Sequence, residues 1–232
     1  MQWELFVEFG GEMNKGVVSK KGVDYRKALL KAVSETHPVK RKIHMQAHHL
    51  ISEEGITKSE VGETLINRGY NVNVLNNLVF LPSTPAGACH LEVQLHRGDH
   101  THECDEDFSD DDHPLTYHHV VKGMLKAVEQ QIDDCDDADF KKAQELLDEI
   151  SKDILILISE FKIPLTKIFK AFRPGNKIGC SNSVDVNEHK DKNENCKHNR
   201  NHEGISNPMY VTSKSRPSIN MGKVNYELKV GQ

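Results

Sequence analysis

The chain has no hydrophobic run close to the roughly 20 residues that a transmembrane helix needs. Its first nine residues lack the basic start of a secretory signal peptide and carry two glutamates, Glu4 and Glu8. Aromatic residues make up only 6% of the 232 residues, which limits the size of the core. These absences predict a cytoplasmic protein with no membrane partner.

Cysteine is scarce and scattered. The five cysteines include no C-x-x-C pair, and their odd number argues against a disulfide framework and for reduced thiols. The same scarcity excludes a structural zinc site of four cysteines. The H-E-x-x-H pattern of zinc proteases is also missing.

Positive charge is in the minority, since the formal net charge is −5. This counts against a tight binder with a long nucleic-acid footprint. Local basic groups nevertheless lie close to the histidines described next, at Lys20 and Lys21 and at Lys40, Arg41 and Lys42. Because phosphate is attracted by such local patches, the acidic balance does not exclude a nucleic-acid substrate.

Histidine is abundant and clustered, with eleven of the fourteen between His37 and His119. A neutral imidazole is the commonest metal ligand in proteins and can also take a proton near neutral pH. The adjacent pair His48-His49 and the later H-x-x-x-H of His96 and His100 can hold one metal ion and leave one general base. The pattern predicts metal-assisted hydrolysis.

Apolar patterning predicts an α+β fold. The predicted strands cover 5–9, 43–51 and 78–81, and the predicted helices cover 25–33, 57–68, a stretch from 115 onward, and 138–163, with a loop at 83–88. Neighbouring side chains of a strand point to opposite faces. Two adjacent histidines that act at one site must therefore lie at a strand end or a bend.

Composition divides the chain into four parts. An N-terminal cap is predicted over 1–42, the histidine-bearing domain over 43–134, and a helical segment over 135–174. Past Pro174 the chain is rich in Asn, Lys, Ser and Glu and has little periodicity, so 175–232 is predicted to be a flexible, largely disordered tail.

Three motifs carry a family resemblance. Residues 46–51 (QAHHLI), 76–82 (NNLVFLP) and 95–100 (LHRGDH), in this order, resemble the AHH family of nucleases. That family belongs to the HNH / endonuclease VII superfamily and commonly forms the toxin end of bacterial polymorphic toxins. The resemblance covers about 43–128 and implies a small ββα-metal core, to which the remaining helices are additions.

The resemblance also implies roles for individual residues. His48 matches the metal-ligand position and His49 the general base. Asn77 matches the middle asparagine, which orients the base or the loop that carries it. His96 and His100 match the late histidines, at least one of which ligates the metal.

Two departures from the family pattern stand out. Asn77 is followed by leucine where the family has glycine. The stretch 101–112 is an acidic insertion, and the H-P-x-x-Y sequence at 113–117 after it is similar to a continuation of the family motif. His113 is therefore an alternative last ligand; His100 is favoured because the H-x-G-x-H spacing is intact there. His118 and His119 are expected on a solvated helix face.

The resemblance implies a metal-dependent endonuclease of low sequence specificity that acts on DNA rather than RNA and leaves 5′-phosphate ends. Magnesium is the first candidate metal, and histidine ligands also suit zinc, manganese or nickel. Candidate phosphate contacts are Lys40, Arg41, Lys42 and Arg97. A toxin would be delivered by a specialised secretion system and matched by an immunity protein. The alternatives are a ribonuclease and a non-catalytic metal-binding module.

Overall fold

The computed structural model describes residues 15–22, 24–41, 43–96, 116–135, 140–165, 175 and 226–232. Along these residues the elements are α1 (Tyr25–Ala32), β1 (Met45–His49), α2 (Glu53–Ser59), α3 (Gly62–Asn67), β2 (Leu78–Pro82), α4 (Pro85–Leu91), α5 (Tyr117–Asp133) and α6 (Phe140–Ser159). The predicted α+β class is confirmed. None of the helices in the described part of the chain is both long and apolar enough to cross a membrane.

The two strands form an antiparallel pair in the middle of the core. Met45 lies opposite Pro82, and His49 lies opposite Leu78. Every residue of β2 is buried, whereas β1 has an exposed Gln46 and a half-buried Ala47 before it ends in two buried histidines. His48 and His49 therefore lie at the end of a strand, as the argument from strand geometry requires.

The chain after β1 forms two short helices, so the prediction of one helix over 57–68 is wrong. Glu60 separates α2 from α3 with a left-handed backbone (φ 64°). Helix α2 begins after Ser52, whose side chain accepts a hydrogen bond from the backbone N–H of Gly55. Glu53 and Glu54 follow in the first turn, where negative charge favours a helix start.

The predicted loop over 83–88 is also wrong, because α4 begins there. Thr84 caps the helix and Pro85 occupies its first turn, a combination typical of helix starts. Helix α4 ends at Leu91, and Glu92 caps it with a left-handed backbone (φ 59°). The chain then returns to the end of β2, where the backbone N–H of His96 donates to the carbonyl of Pro82 at 2.9 Å.

The two long helices appear where 3.6-residue periodicity predicts them. The second one is shorter than expected and ends before Phe161, whose backbone is left-handed (φ 57°). Helix α5 packs against both α2 and α6. Gly55 allows the close approach of α2, since a Cβ there would lie 2.4 Å from Cγ1 of Val121.

Residues 226–232 pack on β2, in contrast to the flexible tail predicted for 175–232. Phe80 N–H donates to the carbonyl of Gln232, and Gly231 N–H donates to that of Leu78, both at 2.7 Å. The hydroxyl of Tyr226 lies 3.2 Å from the carbonyl of Phe80. The free edge of β2 supplies backbone partners that a composition argument cannot anticipate. The predicted strand at 5–9 lies outside the described residues.

Gly55→Ala is expected to lower the free energy of unfolding by about 1–3 kcal/mol, because the new methyl would press on Val121 in a closely packed contact. Gly123→Ala is the matched control: a Cβ at this α5 position meets nothing within 4 Å. The control should be neutral or slightly stabilising, since alanine favours a helix. Thermal and urea unfolding measure both, and a Gly55→Ala protein as stable as the wild type would contradict the close α2–α5 packing.

Candidate active site

A cleft of about 720 Å³ opens at the end of β1. Residues from β1, α1, α2 and the first turn of α5 line it, together with His96 from the loop after α4. Three histidines predicted as site residues, His48, His49 and His96, are all buried in its wall. The cleft therefore brings together the first and third sequence motifs.

Tyr117, the first residue of α5, holds His48. The Tyr117 hydroxyl lies 2.8 Å from Nε2 of His48 and 2.5 Å from the carbonyl oxygen of Leu50. A carbonyl can only accept, so the single hydroxyl proton points to Leu50, and the hydroxyl oxygen accepts from His48. Neutral His48 thus carries its proton on Nε2 and its lone pair on Nδ1. Burial raises the pKa of Tyr117, which keeps this hydroxyl protonated.

His96 lies beside His48 in an arrangement that suits metal ligation. Their ring centres are 4.7 Å apart and the ring planes are inclined by 58°. Two imidazoles in adjacent positions on one ion, each about 2.1 Å from it, have ring centres roughly 4.5 to 5.5 Å apart. The donor pair therefore fits a divalent ion, although the described part of the chain contains no cluster of three His, Cys, Asp or Glu ligands.

Several predicted site residues cannot be compared with the structure. His100 and the alternative ligand His113 lie outside the described residues, as do Lys42 and Arg97.

His49 is held separately from the other two histidines. Its Nε2 lies 3.0 Å from Oδ1 of Asn73, and its ring meets that of Tyr25 edge-on with centres 4.4 Å apart. Burial lowers the pKa of His49, and the charge of Lys20 lowers it further, against the raising effects of the Asn73 hydrogen bond and Glu53. The imidazole is therefore neutral at pH 7 and can accept a proton.

Asn77 lies behind the cleft and is 1% exposed. Its Oδ1 accepts from the backbone N–H of Ile51 at 2.6 Å and from the Ser151 hydroxyl at 3.2 Å. Its Nδ2 donates to the carbonyls of Ile51 and Val72 at 3.0 and 2.8 Å. Of the two roles that the resemblance implies for Asn77, these contacts match holding the loop that follows His49; Asn73 makes the contact with His49 itself.

The predicted phosphate contacts in the 3-10 turn 38–41 are not in the cleft. Lys40 pairs with Glu35 at 2.6 Å, and neither Lys40 nor the exposed Arg41 lines the cavity. Lys20 and Lys58 line it instead. The turn is close to β1 along the chain, but its two basic side chains do not line the cleft, which sequence distance could not reveal.

His118 corrects another expectation, since it is buried and lines the cleft rather than lying on a solvated face. Its Nδ1 is 3.0 Å from the hydroxyl of Ser52, the residue that caps α2. His119 is exposed, as expected. His118 follows Tyr117 directly, so both lie at the start of α5, and the contact with Ser52 joins this helix start to that of α2.

Comparison with known proteins agrees with this geometry. The model of a nuclease family of the HNH/ENDO VII superfamily with conserved AHH matches residues 29–154, more than half of the chain. The chain belongs to the AHH nuclease family. This AHH protein is thus a phosphodiester hydrolase with a nucleic-acid substrate, in a superfamily whose nucleases use divalent metal ions. No curated protein and no solved structure gives a significant match.

The boundaries of the match are informative for this AHH nuclease. Described residues lie outside it on both sides, among them 15–22 before its start and 226–232 after its end. The first contributes Lys20 to the cleft, and the second contacts β2. The packed structure therefore extends beyond the matched part of the sequence on both sides.

Asn77→Ala is expected to lower the free energy of unfolding by at least about 3 kcal/mol, because it leaves several buried backbone groups without partners at about 1–3 kcal/mol each. Asn76→Ala is the neighbouring control; its amide makes an exposed hydrogen bond to Asp148, and its loss should cost no more than about 0.5 kcal/mol. Urea unfolding compares the two variants. Equal stability would show that the Asn77 amide does not hold the loop.

Proposed function

We propose that this AHH nuclease is a divalent-metal-dependent endonuclease that cleaves DNA with low sequence specificity. The observation that carries the proposal is that three histidines line one cleft in two different settings. His48 and His96 lie ring against ring, while His49 is neutral, separate and held by Asn73. Such an arrangement supplies a pair of metal ligands and one general base within a single cleft.

In the proposed reaction His49 takes a proton from a water molecule as the water oxygen attacks phosphorus. The bond from phosphorus to the 3′ oxygen breaks in line, and the 3′ oxygen takes a proton from solvent while His49 later returns its own proton to solvent. The products are a 5′ phosphate and a 3′ hydroxyl. The lowered pKa of His49 supports this role, because the base must be unprotonated at neutral pH. The buried cleft wall reduces competing contacts of the imidazole with bulk water.

His48 and His96 would hold the metal, with His100 as the proposed further ligand. The chemistry that a divalent ion supplies when bound there is neutralisation of the charge on the phosphoryl oxygens and the leaving oxygen. Tyr117 supports the site by fixing the His48 ring through Nε2. Partners of this kind orient ligating histidines and strengthen metal binding. Magnesium remains the first candidate, with zinc, manganese and nickel as alternatives.

Lys20 is proposed as a phosphate contact in the cleft, in addition to the basic residues predicted from the sequence. It lines the cavity close enough to His49 to influence its pKa. Lys58 is partly neutralised by Glu54 at 3.1 Å. A few positive charges of this kind attract the backbone of any sequence, which supports low specificity. The preference for DNA over RNA is proposed from the family resemblance of the motifs.

We also propose a toxin or effector role with a cognate immunity protein as partner. This follows from the resemblance to polymorphic-toxin nucleases and from the expected low specificity, since a nuclease that cuts any sequence damages the cell that contains it unless it is neutralised.

Purified wild-type protein is expected to nick and linearise plasmid DNA with Mg²⁺ and to lose this activity in EDTA. His49→Ala should reduce the cleavage rate by about 10²- to 10⁴-fold, the usual contribution of a positioned general base. The exposed His44 provides the matched control: His44→Ala should cleave at the wild-type rate. Gel assays with re-added Mg²⁺, Mn²⁺, Zn²⁺ or Ni²⁺ identify the metal.

Cleavage that persists in EDTA would overturn the metal-dependent mechanism. Cleavage of structured RNA but not of plasmid by the same preparation would overturn the DNA assignment and establish the ribonuclease alternative. An unchanged rate in His49→Ala would remove the general-base role.

Induced expression in a bacterium that lacks the immunity protein should reduce viable counts by several orders of magnitude and fragment chromosomal DNA. His49→Ala expressed to the same level should leave growth unaffected, because it retains the fold but not the base. The toxin role would be contradicted if cells that express the active wild type survived as well as cells that express His49→Ala.

A further inference from the structure

Residues 15–22, which precede the family match, run beside the turn that carries Asn73. Gly16 N–H donates to the carbonyl of Ile66 at 2.8 Å. Val17 then exchanges two hydrogen bonds with the facing chain: its N–H donates to Tyr70 and its carbonyl accepts from Val72, both at 2.7 Å. This backbone ladder fixes the path of the 15–22 segment as it approaches the cleft.

The segment held by these backbone hydrogen bonds places the carbonyl of Ser19 next to the side chain of Asn73. Nδ2 of Asn73 donates to this carbonyl at 3.1 Å. Because a carbonyl can only accept, the amide nitrogen of Asn73 must face Ser19, and its oxygen must face the other way. Asn73 is also buried, and its backbone N–H is held by the side chain of Asn71 at 2.9 Å.

The orientation of the Asn73 amide decides the state of His49. Oδ1 of Asn73 lies 3.0 Å from Nε2 of His49. An amide oxygen can only accept, so Nε2 must carry the imidazole proton and Nδ1 must carry the lone pair. Without Ser19 the Asn73 amide could rotate and present its nitrogen to the same Nε2, which would favour the opposite tautomer.

We propose that the 15–22 segment is a positioning element of the nuclease site: through the Ser19 carbonyl and the Asn73 amide it fixes the tautomer of His49 so that Nδ1 is the atom that takes the proton from water. The inference deepens the proposed function and rests on it for the role of His49 as base. Asn73 is a positioning residue, and the segment acts through it.

Gly16 offers a way to displace the segment from outside the cleft. A Cβ at Gly16 would lie 2.4 and 2.7 Å from the backbone O and N of Tyr70 and 2.9 Å from the carbonyl of Leu65. Backbone atoms on the facing chain cannot give way as a side chain can, so Gly16→Ala should detach the ladder. Gly123→Ala makes the same chemical change where nothing lies within 4 Å and is the control.

The first measurement is the tautomer of His49 from long-range ¹H–¹⁵N NMR spectra of the full-length, ¹⁵N-labelled protein without substrate. Wild type and Gly123→Ala should show only the Nε2–H tautomer, and Gly16→Ala should show a mixture. The kcat of Gly16→Ala for plasmid should fall about 10- to 100-fold, as expected for a misplaced reacting group. Amide shifts of Val17 and Val72 report whether the segment has detached.

Asn73 variants test the same link if Gly16→Ala does not fold. Asn73→Ala should lose the single tautomer, whereas Asn73→Asp should keep it, since a carboxylate also accepts from Nε2–H. The added negative charge should raise the pKa of His49, so the acidic limb of the kcat/KM profile should move to higher pH by about one pH unit. A residue that only stabilised the fold would not move this limb.

Three results would overturn the proposal: a wild-type His49 with its proton on Nδ1, a detached Gly16→Ala segment with His49 tautomer and kcat unchanged, or an Asn73→Ala protein that retains the single Nε2–H tautomer. The tautomer is measured without substrate, so these results are distinct from failure of the proposed function, which appears as unchanged cleavage in His49→Ala.

Discussion

The side-chain amide of Asn77 is the interaction on which the site depends. An asparagine amide can make four hydrogen bonds, and all four are made here, to both backbone groups of Ile51, to Val72 and to Ser151. These partners come from the exit of β1, the turn before β2 and helix α6. Neither aspartate nor leucine could satisfy all of them. Because His49 directly precedes the held loop, the amide sets where the strand ends and therefore where both adjacent histidines face the cleft.

His48 and His49 are each oriented by a hydrogen bond between Nε2 of the ring and a side-chain oxygen from another part of the fold. Tyr117 does this for His48 from the start of α5, and Asn73 does it for His49 from the turn before β2. The two rings thus present the same ring nitrogen, Nδ1, while their neighbours differ. His48 has another imidazole beside it, whereas His49 has an aromatic ring and a nearby lysine. Two chemically identical side chains therefore lie in different surroundings.

Local sequence patterns predicted much of this fold because they act over a few residues. The apolar run before Pro82 and the 3.6-residue periodicity of α5 and α6 need no knowledge of distant partners. The adjacency of His48 and His49 likewise required a strand end. The same patterns failed where backbone conformation decided the outcome, as at Glu60, whose left-handed geometry divides a continuous helical pattern. The prediction of a loop over 83–88 also overlooked Thr84 and Pro85, which form a helix-start signal in the sequence.

Contacts between distant parts of the chain could not be predicted in this way. Asn73 meets His49 across 24 residues, and Ser19 meets Asn73 across 54. His118 meets Ser52 across 66 residues. The predicted basic contacts at Lys40 and Arg41 were close to the histidines along the chain but lie outside the cleft in the fold. The motifs predicted candidate site residues, and the packing showed which side chains contact them.

The docking of 226–232 has a consequence for how the protein can be shortened. Strand β2 is buried along its whole length, and its edge away from β1 is occupied by Gly231 and Gln232. A fragment cut to the matched residues 29–154 would present that edge as an uncovered, wholly apolar strand. Exposed edges of this kind recruit strands from other molecules. A fragment limited to the matched residues would thus tend to self-associate. The C-terminal residues protect the protein from such aggregation because they cover the edge of β2.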